Sequence, residues 1–264
     1  MPFLSFVARP NQERGHADHG WLKTFHTFSF ASYHDNRHDQ FGCLRVINED
    51  RVAPKNGFGT HSHREFEIFS YVVSGELAHK DSIGNTEVLK RGDIQMTSAG
   101  TGISHSEYQH GDKETHFLQI WSLPSQNRLQ PKYYTRHFTD TEKENVFLRV
   151  VAPVNAPGVS DVRESSGPAP VHSPINLYAT LISSSTTLTH TFENRKGYIH
   201  IIQKSGYNVG KGRGAQIKVS GVEGANELVV REGDGVYVQA EKGAEVRVEN
   251  VGDVVGEVLL FDIE

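Results

Sequence analysis

Four side chains able to bind a metal fall into two pairs of identical spacing, His61-Ser62-His63 and His105-Ser106-Glu107. In a strand, side chains alternate between faces, so residues i and i+2 point the same way. Two such pairs on facing strands place three imidazoles and one carboxylate in one cavity. That donor set suits iron, manganese, cobalt, nickel, copper or zinc. Each pair alone is a weak signal. The chain has 15 His among 264 residues, and about one HxH pair then arises by chance. Four protein donors on a metal that prefers six leave two adjacent positions open, whereas a closed tetrahedral zinc site leaves none. Open positions admit a substrate oxygen together with dioxygen, and the metal then serves as Lewis acid and electron conduit. Glu107 is the group placed to accept a phenolic proton.

The elements that must position these residues read as β-strands. Between His63 and His105 the chain runs as strand, turn and strand, then a Gly-Asp turn and a second Gly-rich turn. That is the connection needed to bring two strands of one barrel face to face. Strands are expected at Glu67 to Val73, Leu77 to Lys80, Thr86 to Leu89, Ser104 to Gln109 and His116 to Ser122. Met1 to Pro10 lacks a basic leader and a long apolar core, so it reads as a short strand and not as a secretory signal. Twenty-five glycines and few helix-favouring stretches also point to an all-β chain.

The segment from Val151 to Pro174 holds five prolines, two glycines and several serines, the composition of a linker. It predicts a domain over 1–150, a linker over 151–174 and a second domain over 175–264. Strands resume at Leu177 to Ile182 and continue through Glu257 to Asp262. The halves look like a diverged repeat, with Val73-Ser74-Gly75 and Arg91-Gly92-Asp93 answered by Lys204-Ser205-Gly206 and Glu232-Gly233-Asp234. The Gly-rich stretch from Gly210 to Gly224 accounts for the longer spacing as a loop insertion. Counting from the matched glycines, the second-half counterparts of the four candidate ligands are Phe192, Asn194, Val246 and Val248. The second barrel is thus expected to keep the shape and lose the metal.

The pattern Gly57-x3-His61-x-His63-x3-Glu67, followed by Gly75 and by Gly92 before His105, resembles the paired motifs of the cupin superfamily. The resemblance to the pirin family is closer. It lies in Thr27-Phe28-Ser29-Phe30-Ala31-Ser32-Tyr33, in Leu44-Arg45-Val46-Ile47-Asn48-Glu49-Asp50, and in His61-Ser62-His63-Arg64. It continues in His79-Lys80-Asp81-Ser82-Ile83-Gly84-Asn85 and in Ala99-Gly100-Thr101-Gly102-Ile103-Ser104-His105-Ser106-Glu107. The family often has Pro where this chain has Ser62. The resemblance implies two tandem cupin-type, double-sheet β-barrels (a bicupin). It implies one mononuclear metal, Fe(II) first, on His61, His63, His105 and Glu107, with Glu67 not a ligand. It also implies ring-opening 2,3-dioxygenation of a flavonol such as quercetin, with release of carbon monoxide and Glu107 as both ligand and base. The alternative it implies is an iron-binding, redox-sensitive co-regulator that binds transcription factors.

Other residues are weighed more simply. Glu67 is either a carboxylate orienting a ligand imidazole or an ordinary strand residue in a salt bridge. His79 is expected to be structural or at the surface. His16, His19, His26, His34 and His38 are expected to be solvated or locally bonded, because Gly15, Gly20 and Asn36 argue against a helix there. His172, His190 and His200 read as structural. Gly100 and Gly102 let the chain turn sharply before His105, and Phe58, Phe66 and Trp121 are expected to line the cavity. A net charge of −5 gives no general attraction to nucleic acid or anionic lipid. No apolar run is long enough to span a membrane. A single cysteine, Cys43, excludes an internal disulfide and fits a reduced cytoplasmic chain, with a nuclear location also open if the source is eukaryotic. A monomer is expected, since a two-barrel chain can bury its own faces.

Overall fold

A computed structural model describes residues 2–222 and 226–264. The chain is almost entirely β and divides into two compact units, one of residues Gly15–Phe138 with Val151–Pro174, the other of Met1–Arg14, Thr139–Val150 and Ile175–Glu264.

The first unit holds two facing antiparallel sheets. The large one runs in the order Lys132–His137, Asp93–Ser98, Glu67–Ser74, Thr115–Ser122, Leu44–Val52, Leu22–His26, Gly15–Asp18. The small one runs Gly57–His63, Ile103–His110, Glu76–Asp81, Thr86–Lys90. Alternation along the strands sends Ile68, Val72, Phe117 and Leu77 inward, where each is fully buried. One end of this interior is hydrocarbon, with Leu22, Val52, Val72, Leu77, Leu89 and Phe117 packed together.

Composition misleads over residues 151–174. The segment is not a free linker but belongs to the first unit. Residues 169–171 form a short strand parallel to 151–153. Arg136, whose backbone is already committed to the sheet, extends its guanidinium to the carbonyls of Arg163, Ser160 and Val162 at 2.9, 2.7 and 3.1 Å. Lys132 meets Asp161 at 2.7 Å, Arg163 meets Glu87 and Asn85, and the His172 amide donates to Glu67 at 2.9 Å. The prolines and glycines shape a strap whose backbone groups find fixed partners. The chain does change unit at 150/151 and again at 174/175, but residues 1–14 and 139–150, expected in the first domain, belong to the second unit.

The second unit repeats the two-sheet plan. One sheet includes Leu4–Arg9, Gly235–Ala240, Lys196–Ile201, Gly256–Ile263 and Ile175–Ile182 in that order, and the other runs Thr187–Thr191, Glu245–Asn250, Arg213–Gly221, Leu228–Glu232. The first strand of the chain therefore serves this unit, pairing Leu4 with Ala240 through Arg9 with Gly235. The expected loop over 210–224 is largely a strand, Arg213–Gly221, and residues 223 and 224 lie outside the described residues. Val246 and Val248 are buried in a cluster of Ile199, Ile217, Val219, Val236 and Leu260, so hydrocarbon fills this interior as expected. The opposite strand is shifted from the expected register. Val246 pairs with His190, as His105 pairs with His61, so His190 and not Phe192 stands in the place of His61, the first candidate ligand. His190 instead bonds Asp262 at 3.1 Å.

Deleting residues 2–10 leaves the strand Gly235–Ala240 without a partner on that edge. The loss is expected to cost about 2 kcal/mol or more, lowering the melting temperature by roughly 4–8 °C. Calorimetry on the full chain and on the deletion variant measures it, and limited proteolysis should cut the second unit faster.

Candidate metal centre

The strand Ile103–His110 lies between Gly57–His63 and Glu76–Asp81. His105 pairs with His61 on one side and with Asp81 on the other, and Glu107 pairs with His79. These five side chains, with His63, consequently face one interior. Between His105 and Glu107 the pairing slips, because three steps from His61 to Phe58 oppose two steps on the partner. Such a bulge bends and twists the edge strand and re-aims its side chains. Gly57 permits the close approach there, since a Cβ would lie 2.3 Å from the Glu107 carbonyl. Gly100, at φ +44°, turns the chain before Ile103 with no room for a side chain against the Leu129 carbonyl.

His61, His63 and His105 offer donor atoms within 4.8 Å of one another. The Nε2 atoms of His61 and His105 are 3.1 Å apart, close to the roughly 3.0 Å separating neighbouring donors held about 2.1 Å from one metal. His61 Nδ1 donates to the Gly59 carbonyl at 2.8 Å. A carbonyl only accepts, so this fixes the tautomer and leaves the Nε2 lone pair free. Burial, with the imidazoles of His105 and His61, pushes His63 down to about 4. Burial likewise lowers His105, whose Nδ1 is enclosed without a partner among the described residues. Neutral imidazoles are the form that binds metal, and the set fits one ion.

Glu107 stands one step deeper. It groups with His105 and His79 within 4.8 Å and not with His61 and His63. Gln95 donates to one of its oxygens at 2.7 Å and Gln119 to the other at 2.8 Å, while Ser70 reaches Gln119 at 3.3 Å. Gln95, Ser70 and Gln119 form a single cross-strand row of the large sheet. Burial opposes ionisation of Glu107, but His79, His105 and Gln95 outweigh it and hold the carboxyl down at about 2. His79 is buried, stacks on Tyr133 at 4.8 Å and bonds Asp81 at 3.2 Å. It lies 3.9 Å from Glu107, an ion-pair distance longer than a hydrogen bond. Burial disfavours its charged form, but Glu107 and Asp81 raise its proton affinity overall. Of the structural or surface role expected for His79, the surface alternative is excluded, since His79 is a buried, inward-facing neighbour of the cluster. The clue was its even spacing from Asp81, which puts both on the face of His105 and Glu107.

The other candidates divide. Trp121 packs edge-on against His63 at 4.8 Å and contacts Phe66 and Phe30 at 5.2 and 5.5 Å. Phe58 instead packs on Trp21 in the hydrocarbon end of the barrel. Glu67 accepts from Ser98 at 2.6 Å and from the His172 amide, so it anchors the strap and orients no ligand imidazole. His26 is buried and bonds Asn48 at 2.8 Å, a local role as expected of that group.

The fold is that of a double-barrel cupin. The pirin family model matches residues 7–122. A quercetin 2,3-dioxygenase of Escherichia coli K12 is 35% identical over 97% of both chains. The bacterial pirin YhhW of E. coli, solved in complex with nickel(II), superposes with a TM-score of 0.80 at 33% identity, covering 98% of each chain. An oxalate decarboxylase of Lactobacillus farciminis shares the fold alone, at 13% identity and a TM-score of 0.59 over 97% of this chain and 86% of its own. On the full-length relationship, the chain belongs to the pirin family.

Asp50 supplies a pH test of this polar interior. Burial, then the nearby Glu107 and Glu49 charges, raise its carboxyl to about 7 against the lowering influence of the neighbouring Thr24. The native state thus keeps a proton between pH 4 and 7 that the unfolded chain releases. Stability from this group is present below about pH 4 and falls as pH rises to 7. Asp50→Asn should remove that decline, so that the variant gains on the wild type by up to about 1.4 kcal/mol per pH unit across the window. Urea unfolding at pH 4, 5.5 and 7.5 measures it.

Proposed function

We propose that this chain is a metal-dependent dioxygenase acting on a flavonol or a related aromatic enol. The metal would be held by His61, His63, His105 and Glu107. The observation that carries the reading is the 3.1 Å approach of two imidazole Nε2 atoms beside a buried, ionised carboxylate. The E. coli relative's name, quercetin 2,3-dioxygenase, and the nickel(II) bound by YhhW support it. Fe(II) is the first choice on ligand chemistry, with manganese, cobalt, nickel, copper and zinc also compatible.

When bound, the ion would supply a Lewis acid and a redox conduit for substrate and dioxygen. The remaining work falls to the chain. The neutral imidazoles of His63 and His105 keep their lone pairs available at neutral pH. Gln95 and Gln119 hold the Glu107 carboxylate by its two oxygens, so its rotamer is set before substrate arrives. Glu107 has little proton affinity in the resting site and is a weak base there. It accepts a hydroxyl proton only from a substrate whose hydroxyl is itself acidified. Trp121, Phe66 and Phe30 form an aromatic wall that excludes water from one side of the imidazole cluster. The co-regulator alternative is not favoured, because the full-length curated relative carries an enzyme's name. Among the described residues no helix is long and apolar enough to cross a membrane.

Elemental analysis should find about one metal ion per chain, falling to background in His61→Ala and His105→Ala. With iron and quercetin, the wild type should consume oxygen and bleach the flavonol absorbance, and His61→Ala should not. Equal rates in the two would end the enzyme reading. Glu107→Gln should lower kcat by about 100-fold or more if the carboxylate takes the proton.

A further inference from the structure

The rim beside His63 carries a feature that metal binding does not use. Arg64, Glu65, Thr101, Asn127 and Arg128 line an open depression of about 560 Å³. It adjoins the metal cluster through the chain itself. His63 and Phe66 both contact Trp121, and the two residues between them line the depression.

Its wall is unusually fixed for exposed loops. Glu65 and Arg128 both hold left-handed backbone, at φ +58° and +60°. Non-glycine residues persist there only where their surroundings impose it, and such positions cluster at ligand sites. The Arg128 amide donates to both oxygens of Glu65, at 3.1 and 3.0 Å. The Glu65 amide donates to Gly100, and the Thr101 amide to Leu129. Three loops are thereby tied together. Among the described residues lining the depression the one carboxylate, Glu65, is held by a backbone amide and keeps its charge. Two guanidinium groups against one carboxylate leave the lining positive by one. No side-chain ion pair ties up the guanidinium of either Arg64 or Arg128 among the described residues.

We infer that this depression binds the carboxylate of a small organic acid between Arg64 and Arg128. Two planar guanidinium forks match a planar two-oxygen anion, and Arg recognises it with paired hydrogen bonds where Lys would offer a point charge. A chain of net charge −5 has no general field to draw such an anion, so the attraction must be local. The inference rests on the oxygenase reading for what the carboxylate belongs to, namely an aromatic enol substrate that also bears an acid group.

The test is a titration of isotopically labelled full-length protein with benzoate and, separately, inorganic phosphate, followed by NMR at the arginine Nε–H signals. Benzoate should move the Arg64 and Arg128 signals saturably. Arg64→Gln and Arg128→Gln should each weaken binding about tenfold, with unchanged melting temperatures, and high salt should weaken it too. Linear, unsaturable shifts overturn the proposal, and tighter binding of phosphate than of benzoate overturns the carboxylate assignment. His61→Ala separates the two readings. It should lose metal yet keep the benzoate response, so a failure of the metal site leaves the rim result readable.

Discussion

An ionised carboxylate inside a β-barrel is unfavourable by several kcal/mol unless its lone pairs are met and an opposite charge lies near. Glu107 satisfies both conditions. Two glutamine amides close on its oxygens, and His79 stands across from it with raised proton affinity. Around this one charge the first unit's interior departs from hydrocarbon. Asp50, Thr24, Gln95, Gln119, Ser70 and Tyr133 replace the Val and Leu that fill the opposite end of the same barrel. The polar partners cannot be lost singly, because each would leave another group buried and unmet.

The second unit shows what the scaffold does without that charge. Val248 occupies the register of Glu107 and Val246 that of His105, and both vanish into an aliphatic cluster. His190 persists in the place of His61 but is turned to Asp262. The second unit closes on hydrocarbon alone, so this scaffold does not require the polar cluster that the first unit encloses.

Much of this was legible in the residues. Period-two patterning located the strands of the small site-bearing sheet and most of the second unit, and the HxH and HxE spacing placed three imidazoles on one face. Gly15–Asp18, Leu22–His26, Leu44–Val52, Asp93–Ser98 and Lys132–His137 of the large sheet were not foreseen. Pairing beyond that range was not legible. The bulge opposite Glu107 moves the edge strand by a residue, and no local sequence rule marks it. The Gln95-Ser70-Gln119 row joins three strands that are distant along the chain, so its residues look unremarkable one by one. The strap over 151–174 has the composition of a linker, since Pro and Gly report backbone shape and not attachment. Arg136 and Glu67, which fasten it, lie far upstream.

The opening strand has a bearing on how the molecule is made. Residues 4–9 are synthesised well before their partners, residues 235–240, which come more than two hundred positions later. The residues of the metal-binding barrel all emerge in between. That barrel can close while the leading strand still waits, so an apolar segment with Phe6 and Val7 stays unpaired for most of synthesis. At elongation rates of about 5–20 residues per second, the wait is on the order of ten seconds or more. A nascent chain of this kind offers chaperones a defined target in that waiting segment.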